Sequence, residues 1–186
     1  VDIGAHVDGY IADASHSYCS EKNSNESAMI SASENALSQA LKAMRPGVKI
    51  CEVSEIIESE IVSKGFVPVG NLTGHALDRY MFHGDITIPN VKNSNQYELK
   101  DGDVFALEPF ATNGAGKIKE TDHIMIFRYK QDRLGRLNEA RAILAVARDE
   151  LQGLPFCKRW FPNMGVRFDL AVRQLVALGA LEAYPV

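Results

Sequence analysis

The first fifteen residues, VDIGAHVDGYIADAS, mix β-branched and small apolar positions with polar ones, and Asp8-Gly9 interrupts them. An Asp-Gly pair between such runs is a strong hairpin signal, because the tight turn needs positive φ at both positions. With that turn, Val7 faces Tyr10, His6 faces Ile11, Ala5 faces Ala12 and Gly4 faces Asp13. Opposed residues share a face, and so do residues two apart on one strand. Asp2 and Asp13 then lie on one face as diagonal neighbours, roughly 7–8 Å apart at the backbone. Ile3, Ala5, Val7, Tyr10 and Ala12 occupy the other face, which suits burial.

A polar break at 20–25 precedes a stretch from about 26 in which Ile30, Ala36, Leu37, Ala40, Leu41 and Met44 follow helical spacing, ended by Pro46-Gly47. A second helix is expected over 52–63, with Val53, Ile56, Ile57 and Ile61 on one stripe and Gly65 closing it. The acidic residues of both helices read as solvated faces. Residues 66–69 read as a short strand, 70–78 as a polar, glycine-containing segment and 79–95 as a long irregular loop. Asp101-Gly102 turns into an apolar strand over 104–110, with Val104, Ala106 and Glu108 on one face. Asn113-Gly114 and Gly116 make the next turn, and 122–129 reads as a further strand. Beyond that the pattern becomes helical. Residues 137–151 put Ala140, Ile143, Leu144, Ala147 and Leu151 on one stripe, LPFCKRWF at 154–161 is an aromatic junction, and 168–178 is another helix. The change sets a boundary near residue 131, between a mixed α/β part, 1–130, and a small helical part, 131–186.

With 186 residues and 46% hydrophobic content, the chain can build one domain with a sizeable core and a small appendage. A net charge of −4 gives no support to nucleic-acid binding through bulk charge. No apolar run approaches the roughly 20 residues of a membrane span, and there is no signal-like start. Cys19, Cys51 and Cys157 are widely spaced with no CxxC, as expected of reduced thiols in a cytosolic protein. Val1 already lies in a strand pattern, and the chain stops at Tyr184-Pro185-Val186 just after a helix-like segment. Neither end has the polar composition usual at domain termini, so the chain is expected to be the interior of a longer protein.

Four residues stand out for chemistry. Carboxylates spaced like Asp2 and Asp13 could span two metal ions about 3.5–4 Å apart. On the hairpin alone, ordinary polar residues remain the simpler reading. Glu108, inside VFALEPF, is expected to be buried, and must then be salt-bridged, protonated or bound to metal. His75 stands where a strand enters a loop, with His83 further along; either alone reads as a surface or hydrogen-bonding histidine. Together, Asp2, Asp13, His75 and Glu108 form an oxygen-rich set with one imidazole, suited to Mn, Fe, Co or Zn.

DIGAHVDGYIAD, GNLTGHALDRYMFH, TIPN, DGDVFALEPFATNG and LPFCKRW, in that order, resemble the methionine aminopeptidases of type II, particularly the short archaeal form. The resemblance covers essentially the whole chain. It implies an α+β, pita-bread fold: a curved antiparallel sheet with outer helix pairs and a metal site at its concave centre. From about 131 it implies the small helical, winged-helix-like insertion that marks type II. It implies metal ligation by Asp2, Asp13, His75 and Glu108, two divalent ions (Co, Mn, Fe or Zn), and substrate contact by His83. Asp13 would bridge the ions, Asp2 would hold one, and His75 and Glu108 the other. Glu108 would also move the proton of the attacking water, while His6 and Asp8 carry no ligand role. The implied activity is removal of the N-terminal methionine of nascent polypeptides by a cytoplasmic monomer. The ribosome is a candidate partner, and no membrane or specific nucleic acid is expected.

The chain departs from the family pattern at Ala76 and Asp78, where glycines are usual, and at His16 and Ser17. Asp78 adds a charge beside the ligand histidine and bears on substrate fit. The family's bridging glutamate is expected on a strand beyond Val186, and another substrate-contacting histidine before Val1. The isolated 186 residues are therefore expected to bind metal weakly and to have little activity. Three other readings compete. An Xaa-Pro peptidase shares the ligand set but lacks the LPFCKRW segment. A metal-free protein- or RNA-binding relative has no need of four such ligands. The chain could also be an incomplete product that does not fold alone.

Overall fold

The computed structural model describes residues 1–20, 24–121 and 123–185. Contacts divide the chain into two compact units: Val1–Arg79 with His83–Ile118, and Tyr80–Phe82 with the chain from Lys119 onward.

In the first unit, β1 (Asp2–Val7) and β2 (Tyr10–Ser15) pair antiparallel with Gly4 opposite Asp13 and Val7 opposite Tyr10, the register predicted from the turn. Asp8 and Gly9 have φ of 50° and 85°, as the two-residue turn requires. The apolar face of this ribbon is not buried, contrary to its pattern: Ile3 is 61%, Val7 75% and Tyr10 69% exposed. Among the described residues the two strands pair only with each other, so no sheet neighbour or helix layer shields that face.

Ser24 starts α1 (Asn25–Ala43), its hydroxyl accepting from the Ser27 N–H. The helix buries Ala32, Ala36 and Ala40, one per turn. This flat face receives Ile50, Val53, Ile57 and Ile61 of α2 (Ile50–Ser63), and Phe66, Ile88 and Leu99 complete the core. Each fully buried isoleucine contributes about 1.5–3 kcal/mol through apolar area removed from water.

Three-stranded pairing then sets the middle of the unit. After β3 (Val67–Pro68), β4 (Thr73–Leu77) runs between β5 (Thr87–Pro89) and β6 (Val104–Ala106), antiparallel to both, and β7 (Ala111–Thr112) returns to pair with β3. Here the structure departs from the pattern in three places. The polar segment 70–78 holds a central strand, because burial of its polar and glycine residues comes from tertiary pairing that propensity does not register. The loop 79–95 contains β5. The strand expected over 104–110 ends at Ala106; Pro109 has no N–H to continue a ladder.

In the second unit, β8 (Ile124–Tyr129) is the middle strand of an antiparallel sheet. After α3 (Asn138–Ala145) the winding widens to a π-type turn at Val146–Glu150. The sheet is completed by β9 (Phe156–Cys157) and, after α4 (Val166–Ala177), by β10 (Leu181–Pro185). Phe127, Phe156, Phe161 and Phe168 form a connected ring cluster with centroids 5.4–6.0 Å apart, packed with Ile143, Leu144, Leu175 and Leu181. The unit is therefore mixed helix and sheet rather than helical alone. Its division from the first unit falls after Ile118, ahead of residue 131, because Phe127 of β8 belongs to this core. Residues 181–185, for which no element was expected, form a paired strand. Of the expected break at 20–25, Glu21, Lys22 and Asn23 lie outside the described residues, as does Asp122 at the start of the expected strand 122–129.

Candidate metal centre

Three elements of the first unit converge on one point. β2 supplies Asp13, β4 supplies His75, and the chain just past β6 supplies Glu108. Gly74 makes the approach possible: a Cβ there would lie 2.5 Å from the Ala106 carbonyl oxygen and 3.3 Å from the Glu108 amide nitrogen. A glycine inside a strand marks such close backbone approach, but the segment 70–78 did not read as a strand, which hid the signal.

His75 is 6% exposed, and its Nε2 lies 3.5 Å from Asp13 Oδ2 and 3.8 Å from Glu108 Oε1. Its Nδ1 stands 3.4 Å from the Ala76 carbonyl oxygen, which can only accept. That neighbour favours hydrogen on Nδ1 and leaves the Nε2 lone pair directed to the carboxylates. One ligand atom from each of Asp13, His75 and Glu108 falls within 4.8 Å of the others.

The charges of this group are poorly compensated. Burial, then the charges of Asp13 and Asp2, push the Glu108 carboxyl from an ordinary 4.5 to about 7. Burial and the Asp2 charge likewise raise Asp13, against a smaller opposing effect of His75. Carboxylates that are desolvated and repel one another beside an imidazole are the arrangement a divalent cation relieves. The donor set therefore fits a metal ion of the borderline class.

The other residues singled out from the sequence take distinct places. Asp2 shares the ribbon face of Asp13, is exposed, and stands outside the three-residue group while its charge acts on two members of it. His83 is exposed and meets the His75 ring edge-on at 4.4 Å between centroids. His6 serves the turn, its Nδ1 accepting from the Gly9 N–H at 3.2 Å. Ala76 lies against Gly84, whose N–H donates to the Ala76 carbonyl and where a Cβ would lie 2.9 Å from the alanine methyl. Asp78 is exposed, and its Oδ1 accepts from the Arg79 N–H. Arg79 in turn reaches the tip of the β1–β2 hairpin, donating from Nε to the Asp8 carbonyl oxygen at 2.8 Å. No local pattern signals that last contact, which joins residues 71 positions apart. An open groove of about 430 Å³ adjoins the carboxylates and runs past Ser15 and Ser33 to Met29, Ile30, Leu37 and Phe110.

Residues 1–132 match the model of metallopeptidase family M24. The whole chain is 42% identical to a methionine aminopeptidase of Thermococcus onnurineus, of which it spans 63%. Among solved structures, a methionine aminopeptidase of Thermotoga maritima superposes with a TM-score of 0.61 and 26% identity, over 65% of this chain and 49% of that one. A thermophilic Arx1 superposes with a TM-score of 0.74 over 99% of this chain and 57% of its own, and its 16% identity speaks to the fold alone.

Proposed function

The chain belongs to metallopeptidase family M24, whose pita-bread fold it shares, and on that premise we propose that the protein removes N-terminal methionine as a methionine aminopeptidase of type II. The observation that carries this reading is the meeting of Asp13, His75 and Glu108, from three separate elements, within 4.8 Å. Asp2 and Asp13 would hold one divalent ion, and Asp13, His75 and Glu108 a second. An oxygen-rich set with one imidazole suits Co, Mn, Fe or Zn. Ions bound there supply Lewis acidity, bringing the pKa of water toward neutrality and polarising a peptide carbonyl.

The chain's own groups do the rest. Glu108, at the edge of the site, would accept the proton of the attacking water and pass it to the leaving amine. His83, at the exposed edge of the buried His75, donates a hydrogen bond to the substrate backbone. Residues 131–186 are the insertion typical of type II; the end of the family match at residue 132 supports this assignment. The substrates are nascent polypeptides met in the cytoplasm as they leave the ribosome, and the enzyme acts as a monomer. Among the described residues, no helix is long and apolar enough to cross a membrane.

A peptide comparison tests the reading. The protein carrying this chain is expected to release free methionine from Met-Ala-Ser, to lose that activity to a chelator, and to regain it with Co²⁺ or Mn²⁺. It should leave an Ala-Pro peptide intact. Faster cleavage of Ala-Pro, or methionine release indifferent to chelation, would overturn it.

A further inference from the structure

We propose that Arg79 is a positioning residue for the metal centre: it clamps the tip of the β1–β2 hairpin and thereby sets where Asp13 and Asp2 stand against His75 and Glu108. The inference rests on the metal-binding reading of those four residues. The hairpin needs an external hold. Its strands pair only with each other among the described residues, and apart from Gly9, Ile11 and Asp13 its positions are exposed. A two-stranded ribbon with so little apolar burial is marginal by itself and does not fix its own pose. Its polar attachments to the rest of the unit include one at the metal-site face and one at the tip, besides the His16–Glu34 pair at 3.8 Å where the chain leaves β2. One is the Asp13–His75 pair at 3.5 Å. The other is at the far end of the ribbon, where Arg79 Nε donates to the Asp8 carbonyl at 2.8 Å and the guanidinium lies 5.4 Å from the centroid of the Tyr10 ring.

The metal-site and tip attachments both start from the same strand. His75 lies within β4 and Arg79 just past its last residue, Leu77, so the two anchors share one rigid support. The Asp78 carboxylate accepts from the Arg79 N–H at 2.6 Å and steadies the backbone from which the guanidinium extends. Asp13 stands three residues from Tyr10, about 10 Å along an extended strand. A tilt of the tip is therefore carried directly to the ligand. A guanidinium suits such a clamp, because it donates to the carbonyl while its charge stands over the ring, a combination an ammonium does not reproduce as well.

Metal binding by the full-length protein that carries this chain, measured by calorimetric titration with Co²⁺ and by the visible absorption of the bound ion, tests the clamp. Arg79→Met keeps the aliphatic stem and removes the donor; it is expected to weaken Co²⁺ binding tenfold or more and to change the absorption band. Arg79→Lys is expected to fall between Met and wild type. In metal-free protein, hydrogen exchange at Gly9 and Tyr10 should quicken in the Met variant while the thermal midpoint stays within a few degrees. Asp13→Asn serves as the reference. If it abolishes binding while both Arg79 variants bind within twofold of wild type with an unchanged spectrum, the clamp is refuted and the metal site stands. If Asp13→Asn itself binds Co²⁺ like wild type, the metal reading underneath fails.

Discussion

At Glu108 three influences act in one direction: burial, the charge of Asp13 and the charge of Asp2. The consequence for stability follows from the sign of the shift. A carboxyl at about 7 in the folded chain and near 4.5 when unfolded favours folding below 4.5. That contribution fades as pH rises from 4.5 through 7. At roughly 1.4 kcal/mol per pH unit the upper bound is about 3.5 kcal/mol, and solvent screening of the partly exposed carboxyl brings the contribution below it. Metal-free protein in chelator is thus expected to lose stability across that interval in urea titrations, and Glu108→Gln to flatten the loss. An unchanged slope in the Gln variant would contradict the assignment. At this scale the sequence was informative where burial conflicts with charge. Glu108 stood out because an acid inside VFALEPF must find a partner; in the structure it is partly rather than fully buried, its side chain 24% exposed. Arg79 did not stand out, because an exposed arginine in a loop has no signature of the backbone carbonyl it reaches. Gly74 did not stand out either, because only the fold shows that it lies in a strand and that Ala106 approaches it.

Among elements, the hairpin register was legible to the residue, since turn chemistry fixes pairing and pairing fixes faces. The two long helices were legible from their periodicity. The strands β4, β5 and β10 were not. TGHAL and TIP carry no alternation of their own, and each is held by pairing with residues distant in sequence. The burial of the ribbon's apolar face was also misjudged, because alternation shows which residues share a face and not whether anything covers it. The α1–α2 contact allows a direct check. Ala36 is wholly buried within a stripe of alanines facing isoleucines. Ala36→Leu is expected to force these helices apart and to cost about 1–3 kcal/mol by overpacking, read as a lower urea midpoint with an unchanged slope. A neutral result would mean that the alanine face is not set by close approach.

For the whole molecule, pattern alone placed a change of character near residue 131, while packing draws β8 into the second unit because its Phe127 completes that unit's phenyl cluster. A boundary read from composition marks where helices begin; a boundary set by a core marks which strand they cover. The candidate chemistry lies in the first unit, where single weak signals gain meaning from meeting in space. Asp13, His75 and Glu108 come from β2, β4 and the segment past β6, and no local pattern joins them. The central claim is that this meeting point binds a divalent metal. Equilibrium dialysis of the full-length protein that carries this chain against Mn²⁺, with bound metal counted by elemental analysis, tests it most directly. The account predicts retained manganese in wild type and its loss in Asp13→Asn and His75→Ala; retention at the wild-type level in both variants would contradict it.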